Sequence, residues 1–384
     1  SGVATLNGPA WLENRRISMR ILRDLGFGKK RMEDLVKEET RQLVEKLVKT
    51  NGFPIVTLKQ FTPSASNVIS RVLFGERDAS TSPRGMAMVE NLDKFSKALG
   101  AGSLIEVLPQ WARHLVMLLP FTRSVALRRF VQNLIELGSQ YVTDHEDTKK
   151  SHPANEDFVG AYLKRSEEHK NRPESNLNKN YLIGNTVSLY MAVSHSVPSF
   201  VHWHMLNCAQ SKDTVQAGIH EEIDRVVGRD RPPAWEDRLS MPYTMAVLWE
   251  MYRCKPNSTL PRSVGEDILL NDYVIPKGTV VMPNFWAVLM NDSLWENPGK
   301  FDPSRFLSED GSRLLDRPEY LISFSLGRRM CPGEPLATME IFLYLTTLLQ
   351  KLVVLPEEGR PLSIDFKNAT MDDYVEQKLR FVLR

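Results

Sequence analysis

The segment Phe324-Ser-Leu-Gly-Arg-Arg-Met-Cys-Pro-Gly-Glu-Pro-Leu-Ala337 constrains this chain more than any other. Gly327 and Gly333 flank Cys331 and let backbone approach the sulfur closely. Arg329 precedes it by two residues. A helix is expected to begin directly after it, with Pro332 at the first helical position and Glu334 at the positive end of the helix dipole. A sulfur in that setting is expected to be held as a thiolate. The plainer reading is a buried cysteine in a glycine-rich loop.

Composition narrows the remaining classes. A chain of 384 residues that is 42% hydrophobic can bury a large core. Lys and Arg number 49 against 47 Asp and Glu, so no charge excess points to nucleic acid or an acidic partner. Cys208, Cys254 and Cys331 are an odd number at wide spacing, which excludes a disulfide framework and fits a reducing compartment. The opening residues have neither the basic start nor the apolar run of a signal peptide. The most apolar helical stretch, Leu189 to Leu206, carries three histidines, three serines and a proline, so it does not qualify as a membrane span.

Phe-x-x-Gly-x-Arg-x-Cys-x-Gly resembles the haem-binding loop of the cytochrome P450s, the haem-thiolate monooxygenases, and this resemblance outweighs the plainer reading of the cysteine. It implies that Cys331 is the axial iron ligand and that Phe324, Gly327, Arg329 and Gly333 shape the haem contact. Other motifs follow in the family's order. Trp11 and Arg15 lie four apart on one helix face, so an indole N–H and a guanidinium can converge on one anionic group; a bland surface helix is the alternative. The stretch Asn7 to Leu47 is similar to the region where such a pair holds a haem propionate. Glu250-x-x-Arg253, as a lone i, i+3 pair, would be a solvated salt bridge. With Phe301-Asp-Pro-Ser-Arg305-Phe it resembles a structural Glu-Arg-Arg network, with Ser304 where the family has glutamate. Leu260-Pro-Arg262 resembles the segment that offers a basic residue to the second propionate.

Along the rest of the chain, helical periodicity runs to about Thr50 with a break at Gly26-Phe-Gly28. Asn67 to Gly75 reads as an apolar helix closed by glycine. Leu104 to Phe130 is apolar between Pro109 and Pro120 and fits either a buried hairpin or a surface touching a bilayer, the second being favoured by the resemblance. Thr148 to Asn155 is a polar linker, Asp157-Phe158 starts a helix, and Arg165 to Lys179 is a charged loop. Tyr181 to Ala209 is the long central helix. Here the family's Ala-Gly-x-acid-Thr motif is represented by Ala192-Val-Ser-His195-Ser196. By resemblance Ser196 keeps the hydroxyl that bonds oxygen and relays a proton, while His195 replaces the acid. Pro198 should kink the helix. His195, His202 and His204 lack one-face spacing, so no zinc site is expected among them. Helices are also expected over Gln216 to Gly228, Pro242 to Arg253 and Leu336 to Leu352, with two short strands over Leu269 to Pro283.

The resemblance implies a mainly α fold, a helical bundle around haem with small β-sheets. It implies a single haem-thiolate domain over residues 1–384, lacking its amino-terminal anchor, hinge and first sheet region. It further implies haem b, an NADPH-dependent reductase, a lipophilic small-molecule substrate, a membrane surface, and the cytosolic face of the endoplasmic reticulum. The altered Ala192 to Ser196 site admits an alternative, a haem-binding protein or decayed paralogue without monooxygenase turnover.

Overall fold

A computed structural model of the protein describes residues 2–76, 81–99, 112, 115, 123–147, 157–171, 175–256, 261–368 and 373–384. Two amphipathic helices, α1 (Gly8–Asp24) and α2 (Lys30–Val48), are separated where Gly26 and Gly28 take φ of 94° and 72°. Helix α3 (Leu58–Phe74) ends on Gly75, whose φ of 70° and N–H bond to the Arg71 carbonyl form a left-handed cap. Helices α4 (Pro83–Leu99), α5 (Arg123–Asp147) and α6 (Phe158–Glu168) follow. The Asp157 carboxylate accepts from the Gly160 N–H at 2.8 Å and fixes the start of α6. The charged segment after Arg165 is not all loop: α6 continues to Glu168, supported by an Arg165–Glu168 pair one turn apart. Of the apolar stretch Leu104 to Phe130, the residues from Arg123 belong to α5; the rest, apart from Ala112 and Leu115, and the linker Thr148 to Asn155 lie outside the described residues.

The central helix is α7 (Lys179–Gln210), 32 residues and hence about 48 Å long. Its start is set by Asn178, whose side chain accepts from the Tyr181 N–H at 2.9 Å. Being apolar almost all round, it is buried in the middle of the bundle, against α3, α5, α6 and α11 (Glu334–Lys351). Pro198 stays inside the helix. At its far end the chain widens into a π-helical turn, Lys212–Gln216, and passes into α8 (Ala217–Val226). Then come α9 (Pro242–Cys254) and the short α10 (Phe285–Leu289).

The strands are few and antiparallel. β1 (Ile55–Val56), β7 (Lys378–Leu383) and β6 (Leu352–Pro356) pair in that order, with Ile55 opposite Leu379 and Leu352 opposite Leu383. β3 (Ile268–Leu270) and β4 (Tyr273–Ile275) form a hairpin, and a further strand follows before Pro283, so this stretch holds three short strands where two were expected. β2 (Arg262–Ser263) pairs with β5 (Val280–Val281). Leu269, Leu270, Tyr273, Val274 and Met282 stand exposed around these last two pairs.

One buried side chain joins the end of α7 to the sheet. Gln216, almost wholly buried, donates to the carbonyls of Cys208 and Val354 at 3.0 and 2.9 Å and accepts from the Val354 N–H at 2.7 Å. Gln216→Leu would strand three backbone groups in an apolar setting, and we expect a loss of about 3 kcal/mol, since an unmade buried bond costs about 1–3. Urea unfolding measures it; a shift below about 1 kcal/mol would mean that water replaces the amide.

Candidate functional site

Cys331 is half-buried at the end of a short 3-10 turn, Gly327–Arg329. Its N–H bonds the Phe324 carbonyl at 2.8 Å, which closes the loop. Gly327 has φ of 71°, where a side chain would be strained, and a Cβ on Gly333 would come 3.8 Å from the Cys331 sulfur. Ser325, at φ of 66°, is a non-glycine residue held in the same left-handed region. That constraint was not foreseen from the sequence, where nothing distinguishes Ser325 from its neighbours.

Two sequence expectations at this loop are corrected. Pro332 is not in the first turn of the helix: α11 begins at Glu334 with Gly333 as its cap, and Pro335 occupies the first turn instead. Nor is Cys331 held as a thiolate by its surroundings alone. Burial pushes the thiol up and Glu334 adds to this, outweighing Arg15 and the N–H groups of Gly333 and Glu334. A helix start and one guanidinium do not compensate the desolvation of an anion.

Three guanidiniums gather beside this loop. Arg329 lies over the Trp11 ring, 3.6 Å from its centre, and Arg15 lies 5.5 Å from the same centre. Arg15 donates to the Met330 carbonyl at 2.7 Å. Burial lowers the pKa of both Arg15 and Arg329; Arg262 acts in the same direction on each, and the Cys331 sulfur opposes it at Arg15. No ion pair to a carboxylate involves Arg15, Arg262 or Arg329 among the described residues. Their recorded partners are carbonyl and amide oxygens: Arg329 donates to Leu6 and the Asn7 side chain, and Arg262 to Ala4. Each guanidinium has five donors, so most remain available to an anion. Trp11 departs from expectation. Its indole N–H is taken by the Val3 carbonyl at 3.1 Å, so the ring serves as a platform for Arg329 instead of sharing an anion with Arg15.

His195 and Ser196 come from α7. Ala192 and His195 are exposed and Ser188, Met191 and Ser196 partly so, a stripe at helical spacing on an otherwise buried segment. His195 is an exposed residue, yet the protein packed around its imidazole pushes it below its ordinary value. The other two histidines are enclosed. His202 is held by Thr57 at 2.5 Å and the Tyr374 carbonyl at 3.1 Å, and His204 is completely buried. A surface hollow of about 590 Å³, lined mainly by polar side chains such as Arg84, Gln132, Glu136 and Thr143, lies between α4, α5 and α7 and contains none of these groups.

Glu250, Arg253 and Arg305 do meet. The Glu250 carboxylate is fully buried and takes two bonds from Arg253, at 2.7 and 2.8 Å, one from Arg305 at 3.2 Å and one from the Asp302 N–H at 2.8 Å. Glu250 and Cys254 hold the Arg253 guanidinium above its ordinary pKa against its own desolvation. Cys254 is therefore not inert packing, since its sulfur accepts from Arg253 at 3.0 Å. The same helix grips the cysteine loop. Ser323 donates to the Tyr252 carbonyl at 2.6 Å, Phe324 packs edge-on against the Tyr252 ring, and the Tyr252 hydroxyl reaches Thr338 on α11 at 3.2 Å. Arg317 pairs with Glu334 across the loop. Sequence reasoning missed Ser323, Tyr252 and Arg317; Arg317 and Glu334 lie too far apart in the chain for spacing to join them.

The arrangement pairs a cysteine with a cluster of three arginines. The Cytochrome P450 family model matches residues 1–379. Among relatives, Cytochrome P450 2C28 of Mesocricetus auratus is 34% identical over 91% of this chain and 70% of its own length. Cytochrome P450 2C23 of Rattus norvegicus is 34% identical over 96% and 74%, and Cytochrome P450 2J2 of Homo sapiens 32% over 96% and 72%. The chain belongs to the cytochrome P450 family, the haem-thiolate monooxygenases, whose cofactor is haem b. The uncompensated guanidiniums and the glycine-flanked cysteine fit that group.

Glu250→Ala would leave the Arg253 guanidinium buried without its carboxylate. We expect a loss of about 3–5 kcal/mol. Denaturant unfolding is the measure, and a loss under about 1 kcal/mol would contradict a shared buried network.

Proposed function

We propose that the protein inserts one oxygen atom from dioxygen into a lipophilic organic substrate, with electrons drawn from NADPH through a reductase. The observation that carries this reading is the convergence of Arg15, Arg262 and Arg329, with no carboxylate paired to them among the described residues, beside the loop that presents Cys331. Haem b, when bound, supplies activation of dioxygen at its iron. Cys331 would ligate the iron, Arg15, Arg262 and Arg329 would hold the propionates, and Phe324, Gly327 and Gly333 would keep the loop close. A cation arriving at the sulfur favours the thiolate that burial disfavours.

The proton-handling residues would be Ser196 and His195. The Ser196 hydroxyl can both accept and donate, as a relay requires. His195, lowered by burial, is neutral through most of the working range and carries a proton only at the acid end. One alternative is favoured by His195 standing where the family has an acid: a haem-binding protein without turnover. NADPH consumption with product formation in the presence of reductase separates the two.

We place the protein at the cytosolic face of the endoplasmic reticulum membrane, by its resemblance to microsomal relatives. No helix among the described residues is long and apolar enough to cross a membrane. Contact of the described part with a bilayer would run through surface residues, of which Leu269, Leu270, Tyr273 and Val274 form one exposed apolar set.

Cys331→Ala is expected to abolish product formation, while Cys208→Ala, a change in the fully buried core, retains it. Turnover by the Cys331 variant would remove the ligand assignment. The second expectation concerns pH. Below the lowered His195 value the imidazolium can donate, so the ratio of product to peroxide should be highest at acid pH and fall as pH rises through a value below 6.5. His195→Glu should flatten that profile. Identical profiles in the two proteins would take His195 out of the reaction.

A further inference from the structure

Residues 2–7, which run ahead of α1, reach both the central helix and the arginines. They turn sharply, the Thr5 and Leu6 N–H groups both bonding the Gly2 carbonyl, at 2.9 and 2.8 Å, and Val3 and Leu6 are buried. On one side they lie so close to α7 that a Cβ on Gly2 would collide with the Gly184 carbonyl, so only glycine fits there. On the other side their oxygens face the cations. The Ala4 carbonyl accepts from Arg262 at 3.5 Å, and the Leu6 carbonyl and Asn7 side chain accept from Arg329 at 2.8 and 3.0 Å.

One side chain fixes this strap to α7. Asn185, next to Gly184, is completely buried, and its Oδ1 accepts from the Val3 N–H at 2.8 Å. Its Nδ2 donates to two groups of α1, the Asn14 Oδ1 at 3.2 Å and the Ser18 Oγ at 3.3 Å. Asn14 presents its oxygen because its own amide nitrogen donates to the Ala10 carbonyl at 2.9 Å, and the Tyr162 hydroxyl donates to the same Oδ1 at 2.5 Å. With its nitrogen committed to two acceptors, Asn185 has to turn its oxygen to Val3. An apolar side chain at 185 would leave the buried Val3 N–H unpaired.

We infer that Asn185 is a positioning residue for the carboxylates of the cofactor: by pinning Val3 it sets the strap, and the oxygens of the strap set the Arg262 and Arg329 guanidiniums. No hydrogen bond joins Asn185 or Gly2 to an arginine among the described residues, so an effect of Gly2 on cofactor binding runs through residues 2–7. The inference rests on the reading above that these arginines hold the propionates.

The test measures how fast the haem-loaded protein gives up haem to excess apomyoglobin, with amide hydrogen exchange alongside. Asn185→Ala and Gly2→Ala should each raise exchange over residues 3–6 and speed haem loss several-fold. Gly2→Ala keeps the bonds from Asn185 to α1, so it isolates the strap, and it serves alone if Asn185→Ala does not fold. Arg329→Gln should itself speed haem loss. Adding Gly2→Ala to it should then have a smaller effect than in the wild type, since part of the route is already cut. A merely structural role would make the two effects multiply. Full multiplication, or unchanged haem loss in Gly2→Ala, would overturn the positioning role; unchanged exchange at Val3 in Gly2→Ala would overturn the seating of the strap on α7. If Arg329→Gln keeps haem as tightly as the wild type, the reading of the arginines fails and positioning with it, while exchange at Val3 still decides the seating.

Discussion

The carboxylate of Glu250 is the point on which the region around the cysteine loop hangs. Fully removed from water, it is stable as an anion only because two guanidiniums and a backbone N–H surround it. Those guanidiniums then reach outward. Arg253 donates to the carbonyls of Leu289 and Lys300, and Arg305 to those of Glu296, Asn297 and Lys300. The chain from α10 to Phe306 has little regular structure, and these bonds are what its backbone has in place of a ladder. Since Tyr252, two residues beyond Glu250, holds Ser323 and Phe324, one helix fixes this irregular chain and the cysteine loop together.

The site combines two electrostatic imbalances of opposite sign. Three arginines stand together without a carboxylate among the described residues, and a thiol is buried where the anion is disfavoured. The first is a cost to the folded chain; the second keeps the sulfur neutral. A ligand bringing two carboxylates to the arginines and a metal cation to the sulfur would answer both, which would link cofactor binding to the stability of this region.

Much of this was legible in the sequence, because local patterns determined it. Glycines marked the breaks at residues 26–28 and 75, Asp157 marked a helix start, and Glu250, Arg253 and Arg305 met as their motif implies. What was not legible depended on distant groups. Helical spacing put Trp11 and Arg15 on one face correctly, but it carried no information about the Val3 carbonyl that takes the indole N–H or about Arg329 stacking on the ring. The ionisation of Cys331 was misjudged because sequence neighbours are visible and burial is not. The tie between Gln216 and Val354 joins residues 138 apart in the chain and leaves no local mark. The extent of α6 was underestimated since charged residues form helix as readily as loop.

The central claim is that Cys331 presents a thiolate to haem iron within this cationic setting. The most direct measurement is the difference spectrum of the haem-loaded, reduced protein with and without carbon monoxide. The account predicts the strongly red-shifted Soret band that a thiolate ligand gives. An unshifted band, as from imidazole or a neutral thiol, or a protein that takes up no haem, would contradict it.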